Sequence, residues 1–281
     1  MESAATESGI VVDVTTVEHP VSYEVAFRVL DKSTTLSEEP ILVLDISAMP
    51  REFASYLCDI VCGLCDPFYR IGFRELYVVQ TPPERLTSRS GLGPFSVGTP
   101  ACVYQKDLLY SRIDRLKTSA LIFPGIEGFE ARACVDLLRP FHSHTSVALN
   151  CFEPSFPAAL DLMVGNQSIF FDAADKSIGL QYYYSDEDAV RVAFDAADRA
   201  VNLVKEFPEQ RHAFLVAPFG PKWSVMVSTL ARVHYVRRCR KIGHASRVTT
   251  DVLVMPRSQY VSLHSRGSLP SRVLRVQHES T

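Results

Sequence analysis

The sequence predicts an α/β fold of the Rossmann-like type, with a mainly parallel sheet and helices on both faces. Short apolar runs that are typical of buried strands alternate with amphipathic segments from Ile41 to Met255. Many of these segments are long enough for helices of about 12 residues or more, which is the length that a crossover connection needs. Strands joined in this way lie parallel in one sheet, so the alternation indicates the fold class.

The composition supports a folded protein. The 281-residue chain is 47% apolar and 22% charged, unlike disordered, collagen-like or disulfide-rich sequences. No apolar run approaches the roughly 20 residues of a membrane-spanning helix, and the small, polar and acidic residues 1–9 lead us to expect no secretory signal. The seven cysteines lie among apolar residues, so we expect reduced thiols and a cytoplasmic location. We expect one Rossmann-like domain over residues 41–281, with residues 1–40 as a β extension packed on it.

The first half of the chain shows strand patterns followed by helix patterns. Residues 41–46 (ILVLDI) are almost wholly apolar, as in a strand buried on both faces, and Pro50 suits the first turn of a following helix. Apolar residues repeat at helical spacing from Phe53 to Leu64. Residues 81–100 are rich in Pro, Gly and Ser, which predicts a loop over a binding site. The other elements predicted here are strands at residues 10–14, 23–30, 76–79, 120–123 and 146–150, and a helix at residues 127–138.

The second half continues the pattern. Ser185 predicts the N-cap of a long helix, because Asp188 follows three residues later as its capping-box partner. Apolar residues from Val190 to Val204 form one face of this helix, and Pro208 ends it. The remaining predicted elements are strands at residues 213–217, 248–255 and 273–276, and a helix at residues 224–240.

The predicted strand ends carry the candidate ligand-binding residues, because ligands of α/β sheets bind beyond the carboxyl ends of the strands. Gly220 allows a ligand to approach the backbone, and Lys222 adds a positive charge to the free amides of a helix start. Asp45 and Ser47 follow the first strand, where they can hold a ribose hydroxyl or orient a metal-bound water. We assign the following residues to one anion-binding crevice: Asp45, Ser47, Arg51, Gly125, Gly220, Lys222 and Ser224.

Local structural roles are the alternative for these residues. Asp45 or Ser47 can cap the helix that follows, and Lys222 can be a solvated lysine in an ordinary strand-to-helix turn. The turn is not a Walker A loop, because the spacing between its glycine and lysine differs.

Three segments resemble a known family. Residues 219–224 (FGPKWS) are similar to the late ligand-binding turn of CRISPR-associated Rossmann-fold (CARF) sensor domains. Residues 44–51 (LDISAMPR) resemble the first strand and loop of CARF-like proteins from bacterial defence neighbourhoods. Residues 254–256 with Tyr260, and then residues 264–267, resemble their closing segment. The resemblance implies binding of cyclic oligoadenylates, usually by a dimer, and transfer of the signal to an effector.

These observations lead us to expect a nucleotide-sensing or regulatory subunit of bacterial antiviral defence. It would bind a nucleotide or cyclic oligonucleotide without a further cofactor, and act with a protein partner or as a homodimer. The residues from Lys205 onwards carry 13 Lys/Arg and 4 Asp/Glu, a net charge of +9, whereas the preceding residues carry −12. A basic C-terminal third suits an anionic partner, unless the acidic and basic segments pair within the fold.

Two enzymatic alternatives remain open. Asp45 and Glu127 are candidate catalytic acids of a metal-assisted hydrolase that acts on a nucleotide or nucleic acid, although the helix dipole also favours an acid at Glu127. Cys58, Cys62 and Cys65 have the spacing with which radical SAM enzymes hold a four-iron cluster. They fall within a helical repeat, however, so we expect packed thiols.

Two further clusters have simpler explanations. His142 and His144 have no third ligand at a metal-like spacing, so we expect no metal site there. A cationic group ends the predicted helix at residues 224–240, where it complements the carbonyl end, and no interleaved aromatics support nucleic-acid binding. This group consists of Arg237, Arg238, Arg240 and Lys241.

Overall fold

The computed structural model of the chain shows an α/β architecture with a six-stranded, mostly parallel sheet and a separate three-stranded sheet. The predicted fold class is confirmed, and the division of the strands into two sheets is a feature that the sequence pattern does not indicate. No helix in the described part of the chain is both long and apolar enough to cross a membrane. The structure describes residues 23–34, 41–47, 49–64, 75–81, 85–86, 99–105, 107–109, 116–125, 128–139, 144–150, 163–172, 178–255, 265–266 and 271–276.

The described elements include the strands and helices that the sequence predicts from residue 41 onwards, together with several elements that it does not predict. In the first half they are α1 Tyr23–Thr34, β1 Ile41–Asp45, α2 Arg51–Val61, β2 Glu75–Gln80, β3 Arg85–Leu86, β4 Ala101–Cys102, β5 Leu116–Phe123, α3 Phe129–Leu138 and β6 His144–Asn150. In the second half they are α4 Gln167–Asp172, β7 Ile178–Tyr183, α5 Asp186–Glu206, β8 Arg211–Pro218, α6 Trp223–Lys241, β9 Val248–Val254, β10 Ser265–Arg266 and β11 Arg272–Val276.

Helices cover both faces of the large sheet. Its strand order is β4–β9–β8–β5–β6–β7, and every neighbouring pair is parallel except β4 with β9. Leu121 and Phe123 of β5 pack in the same core as α5 and α6, whereas Ala120 and Ile122 pack in the same core as α3. Successive side chains of a strand point to opposite faces, so this run of apolar residues fills both layers.

The small sheet has the order β1–β2–β11, with β1 parallel and β11 antiparallel to β2. One of its faces is buried, through alternate residues such as Leu42 and Leu44 of β1. These residues share a core with α1, α2 and the α6 residues Val225 and Met226. Helix α6 therefore packs against both sheets, and joins them into one structure.

A buried ion pair connects α2 to α6. Asp59 is 0% exposed and Arg232 is 2% exposed, and the guanidinium Nη1 of Arg232 donates to the Asp59 carboxylate. The carboxylate also accepts from the hydroxyls of Thr229, at 2.9 Å, and Tyr104. Burial opposes the charge of Arg232, but the Asp59 carboxylate raises the pKa of the guanidinium above its ordinary value. The pair is therefore ionised, and its hydrogen bonds link α2, α6 and the segment after β4.

A second buried carboxylate compensates for the shortness of β4. Asp251 of β9 is 0% exposed, and it accepts the backbone N–H groups of Val103, Tyr104 and Gln105 at 3.0, 3.1 and 2.8 Å. Burial raises the pKa of Asp251, although these amide bonds oppose the shift. The segment that follows the two-residue strand is thus held to β9 by this side chain, beside one backbone bond of 2.9 Å from the N–H of Val103 to the carbonyl oxygen of Val252.

One local prediction is wrong. Residues 23–30 form part of helix α1, not a strand, so the β extension does not describe this segment. Val25 and Val29 favour a strand locally, but Ala26 and Leu30, four residues apart, are buried in the core shared with α2. The predicted strand at residues 10–14 and most of the predicted loop at residues 81–100 lie outside the described residues.

The start of α5 agrees with the prediction in part. The Ser185 hydroxyl caps the helix by accepting the Asp188 N–H at 3.0 Å. The Asp188 carboxylate accepts from the N–H of Tyr184, at 3.3 Å, instead of from Ser185. One of the two bonds of the predicted capping box is therefore present, and the bond of the acidic residue goes to the residue before the N-cap instead of to the N-cap itself.

We predict that Asp59→Asn lowers the free energy of unfolding by about 3–5 kcal/mol, because it leaves the Arg232 charge buried without its partner. The measurement is urea denaturation monitored by circular dichroism. The control Asp136→Asn disrupts the exposed pair with Arg132 and should cost less than about 1 kcal/mol. A combined Asp59→Leu and Arg232→Met variant should recover most of the loss, and equal losses in the Asp59 and Asp136 variants would contradict the assigned role.

Candidate functional site

The carboxyl ends of β1 and β8 meet although the strands belong to different sheets. Nζ of Lys222 donates a hydrogen bond of 2.6 Å to the carbonyl oxygen of Ser47. In the opposite direction, Nη2 of Arg51 donates to the carbonyl oxygens of Phe219 and Gly220, at 2.8 and 2.9 Å. Each side of the junction thus supplies a cation to backbone carbonyls of the other. We call the carbonyl clamp the five residues of these bonds together with Asp45, whose carboxylate lies beside Lys222. Its members are Asp45, Ser47, Arg51, Phe219, Gly220 and Lys222.

Asp45 and Ser47 form the acidic side of the clamp. The hydroxyl and the N–H of Ser47 both donate to Oδ1 of Asp45, and these bonds lower the pKa of the carboxyl below its ordinary value. The Ser47 hydroxyl accepts the N–H of Thr81 at 2.7 Å. Neither residue caps α2, because its N-cap is Pro50 and no side chain caps it. The alternative of local capping by Asp45 or Ser47 is therefore wrong.

The environment of Lys222 in the clamp disfavours its charged form. Partial burial and the nearby Arg51 charge lower the pKa of its ammonium group, Asp45 opposes the shift, and the resulting pKa is about 8. The lysine is therefore still mostly protonated at neutral pH. Two cations and one carboxylate leave the clamp with a net positive charge.

The start of α6 binds neighbouring groups through its first amides. The N–H of Trp223 donates to Oε1 of Gln80 at 3.2 Å. The N–H groups of Ser224 and Val225 donate to the carbonyls of Pro221 and Lys222, at 2.9 and 3.0 Å. The expectation that free amides here hold an anion is wrong for these three groups. Positive charge at the junction comes from the Lys222 and Arg51 side chains instead.

The two glycines of the predicted crevice lie side by side and allow backbones to approach. The N–H of Gly220 donates to the carbonyl oxygen of Phe123 at 2.7 Å. A Cβ at Gly125 would lie 2.9 Å from the Phe219 carbonyl oxygen, which is closer than such atoms pack. A Cβ at Gly220 would lie 3.2 Å from the Pro124 carbonyl oxygen. Both glycines therefore permit the ends of β5 and β8 to meet, so the structure gives them a packing role.

Ser224 differs from the other assigned residues because it is 0% exposed. Its hydroxyl has no hydrogen-bond partner in the described part of the chain, so it does not face a ligand in this conformation. Sequence reasoning left two contributors unassigned, Gln80 and Thr81. Both residues follow a predicted strand, which is the one indication that the sequence offers. Their hydrogen-bond partners, Trp223 for Gln80 and Ser47 for Thr81, become visible only where the two sheets meet.

The enzymatic candidates find little support in the described residues. Glu127 lies outside them. Asp45 is close to the ammonium group of Lys222, which disfavours a divalent metal ion at its carboxylate. No group of three His, Cys, Asp or Glu side chains suited to a metal comes together among the residues that the structure describes.

The cysteine spacing has a structural explanation in the described region. Cys58 lies in α2 and is fully buried, and Cys62 is the C-cap of the same helix, whereas Cys65 falls outside the described residues. Burial raises the pKa of the Cys58 thiol well above its ordinary value, which disfavours the thiolate that iron requires. These two cysteines therefore lie on a continuous helix and not on a loop around a cluster.

The structure describes one residue of the histidine pair and all of the basic group. His144 is half-buried on β6, and His142 lies outside the described residues. The basic group lies at the end of α6, as predicted, and its side chains are exposed. Arg238 of this group pairs with Asp198 at 3.4 Å.

We predict that Lys222 titrates near pH 8 in the unliganded protein. Arg51→Gln should raise the pKa of Lys222 by removing a like charge, and Asp45→Asn should lower it by removing an attractive one. The measurement is NMR of reductively ¹³C-methylated lysines, with the Lys222 signal assigned from its loss in Lys222→Arg. The exposed Lys205 serves as the internal control. An ordinary pKa for Lys222, or shifts in the same direction in both variants, would contradict the clamp electrostatics.

Comparison with known proteins assigns no family to this chain. No protein-family model matches the sequence, and no curated protein matches it.

Proposed function

We propose that this chain is a nucleotide-sensing regulatory subunit that binds a phosphate-containing ligand at the carbonyl clamp. The observation that carries the proposal is the placement of two cations, Lys222 and Arg51, at a junction of strand ends, with the carboxylate of Asp45 beside Lys222. A bound anion would relieve the repulsion between the two cations and offset the burial of the ammonium group.

The chemistry of the two cations suits a phosphate group. An ammonium group has three N–H donors, and the bond to the Ser47 carbonyl uses one of them. The guanidinium of Arg51 is a planar fork of N–H donors that matches the oxygens of a phosphate group, and its Nη2 donates to the carbonyl oxygens of Phe219 and Gly220. Charge-assisted bonds from such groups to phosphate oxygens are stronger than bonds between neutral groups.

The resemblance to CARF-like proteins supports the same proposal. The two segments that carry most of it, residues 44–51 and 219–224, are distant in the sequence, and both contribute to the clamp. The resemblance is also the basis for assigning the chain to bacterial antiviral defence and for expecting a cyclic oligonucleotide as ligand.

Binding at the clamp offers a way to transmit a signal. A phosphate that draws Lys222 towards itself would weaken the bond to Ser47, whose hydroxyl holds Thr81. Thr81 in turn shares a hydrogen bond of 2.7 Å with Ser271, next to β11. Ligand binding would therefore change the contacts of the small sheet, which a protein partner or a second copy of the chain can detect.

We predict that Lys222→Ala weakens ligand binding by about 1.5–3 kcal/mol, the loss of a charge-assisted hydrogen bond. The measurement is isothermal titration calorimetry with cyclic oligoadenylates, cyclic dinucleotides and mononucleotides, each recovered afterwards and checked for cleavage. Lys205→Ala is the matched control, since this lysine is exposed on α5. An unchanged ligand supports a sensor.

Two results would lead to other conclusions. Turnover of the ligand that is abolished by Asp45→Asn would identify the hydrolase alternative. Absence of binding to every nucleotide class, together with normal phage protection by Lys222→Ala in cells, would refute both the sensor and the hydrolase.

The affinity should also depend on pH. Lys222 of the free protein loses its proton as the pH rises through about 8, so affinity should fall above that value. A phosphate diester has constant charge in this range, so the fall would report on the protein. Lys222→Arg should bind with a flat profile over the same range, because arginine stays protonated. A fall of equal size in Lys222→Arg would contradict this assignment.

A further inference from the structure

A second cationic group lies at the amino ends of β6 and β7, whereas the clamp lies at the carboxyl ends of β1 and β8. Nη2 of Arg199, on α5, donates to the hydroxyl of Ser146 at 3.2 Å. His144 precedes Ser146 by two residues and lies on the same face of β6. Ser146 pairs with Gly179 of β7, where an added Cβ would lie 3.5 Å from Cε1 and Nε2 of His144. The absence of a side chain at Gly179 therefore leaves room for the imidazole on the face that carries Arg199.

Polar atoms near this group lack hydrogen-bond partners. Nε of Arg199 and Oε1 of Gln181 are buried, and neither has a hydrogen-bond partner within the described ranges. Gln181 lies on the same face of β7 as Gly179, two residues further on. The two ends of a glutamine amide are interchangeable by rotation, so Gln181 can present either a donor or an acceptor. The Nε–H of Arg199 and one end of the Gln181 amide are therefore not used by any described protein group.

Among the described residues, the charge that acts on His144 is the positive charge of Arg199. Arg199 forms no ion pair with any described carboxylate, in contrast to Arg191 on the same helix, which pairs with Asp188 at 2.7 Å. Burial lowers the pKa of His144, and the Arg199 charge lowers it further. A bound anion would reverse this second effect by favouring the protonated imidazole.

We propose that Arg199, His144 and Ser146 form a second anion site, which binds a phosphate group independently of the carbonyl clamp. The guanidinium supplies the fixed charge and several donors, the Ser146 hydroxyl supplies a neutral donor, and the imidazole donates from a ring nitrogen. The shared chemistry fits both free inorganic phosphate and the phosphate of a nucleotide. This inference does not depend on the function proposed for the clamp.

The test follows the imidazole resonances of His144 by NMR during titration with inorganic phosphate and, separately, with AMP. The His144 signals are assigned from their loss in His144→Gln. Saturable shifts and a raised pKa of His144 are expected with at least one of the two probes. A response to phosphate alone would identify the free ion as the ligand, and a response to AMP alone would identify a nucleotide phosphate.

Variants separate this site from the clamp and from nonspecific binding. Arg199→Gln should reduce the affinity about tenfold or more, the factor expected for one charge-assisted hydrogen bond, and Arg199→Lys should retain part of it. Arg191→Gln is the control on the same helix and should bind as the wild type does. Unshifted His144 signals with both probes, or equal affinity in Arg199→Gln, would overturn the proposal. Loss of the response in Lys222→Ala would also overturn it, because the response would then originate at the clamp.

Discussion

The ionised pair of Asp59 and Arg232 is the constraint on which the two-sheet arrangement depends. Each sheet covers part of its apolar surface with α6, so the position of this helix determines how the sheets meet. Apolar contacts alone tolerate sliding, whereas a buried charge tolerates only the position in which its partner and hydrogen bonds are complete. The bonds of Asp59 to Thr229 and Tyr104 fix that position for α2, α6 and the segment after β4.

The carbonyl clamp lies at the other end of the same helix pair. Arg51 begins α2 and Lys222 precedes α6, while Asp59 and Arg232 lie further along the two helices. The ion pair is almost inaccessible to water, but Lys222 is only partly buried and its bond to Ser47 is a single contact. The helix pair is therefore fixed by the ion pair and held at the clamp by contacts that an anion can replace. This difference suits a site that changes when a ligand binds.

Unbalanced positive charge is the common property of the two candidate sites. At the clamp it comes from Lys222 and Arg51, and at the amino ends of β6 and β7 from Arg199 beside His144. Elsewhere in the described region, Arg232 and Arg275 have carboxylate partners. Because burial of a cation is unfavourable, partly buried cations of this kind indicate positions where a ligand can add a counter-charge.

The sequence by itself determined the α/β class, most of the strands and helices, and the position of Lys222 at a strand-to-helix turn. These features follow from local patterns, namely apolar runs, helical spacing and turn residues. Local pattern failed at α1, where packing against α2 outweighs the strand preference of Val25 and Val29. It also could not indicate β7, since Gly179 and Gln181 interrupt the apolar run.

Only the tertiary structure decided how the candidate residues are used. It divides the strands between two sheets and brings the end of β1 to the end of β8, which turns Arg51 and Lys222 into a clamp on each other's backbone. It also gives the glycines a packing role and buries Ser224. These outcomes depend on contacts between residues more than 160 positions apart, and the energy of such contacts arises from packing and buried charge, which no local sequence pattern encodes.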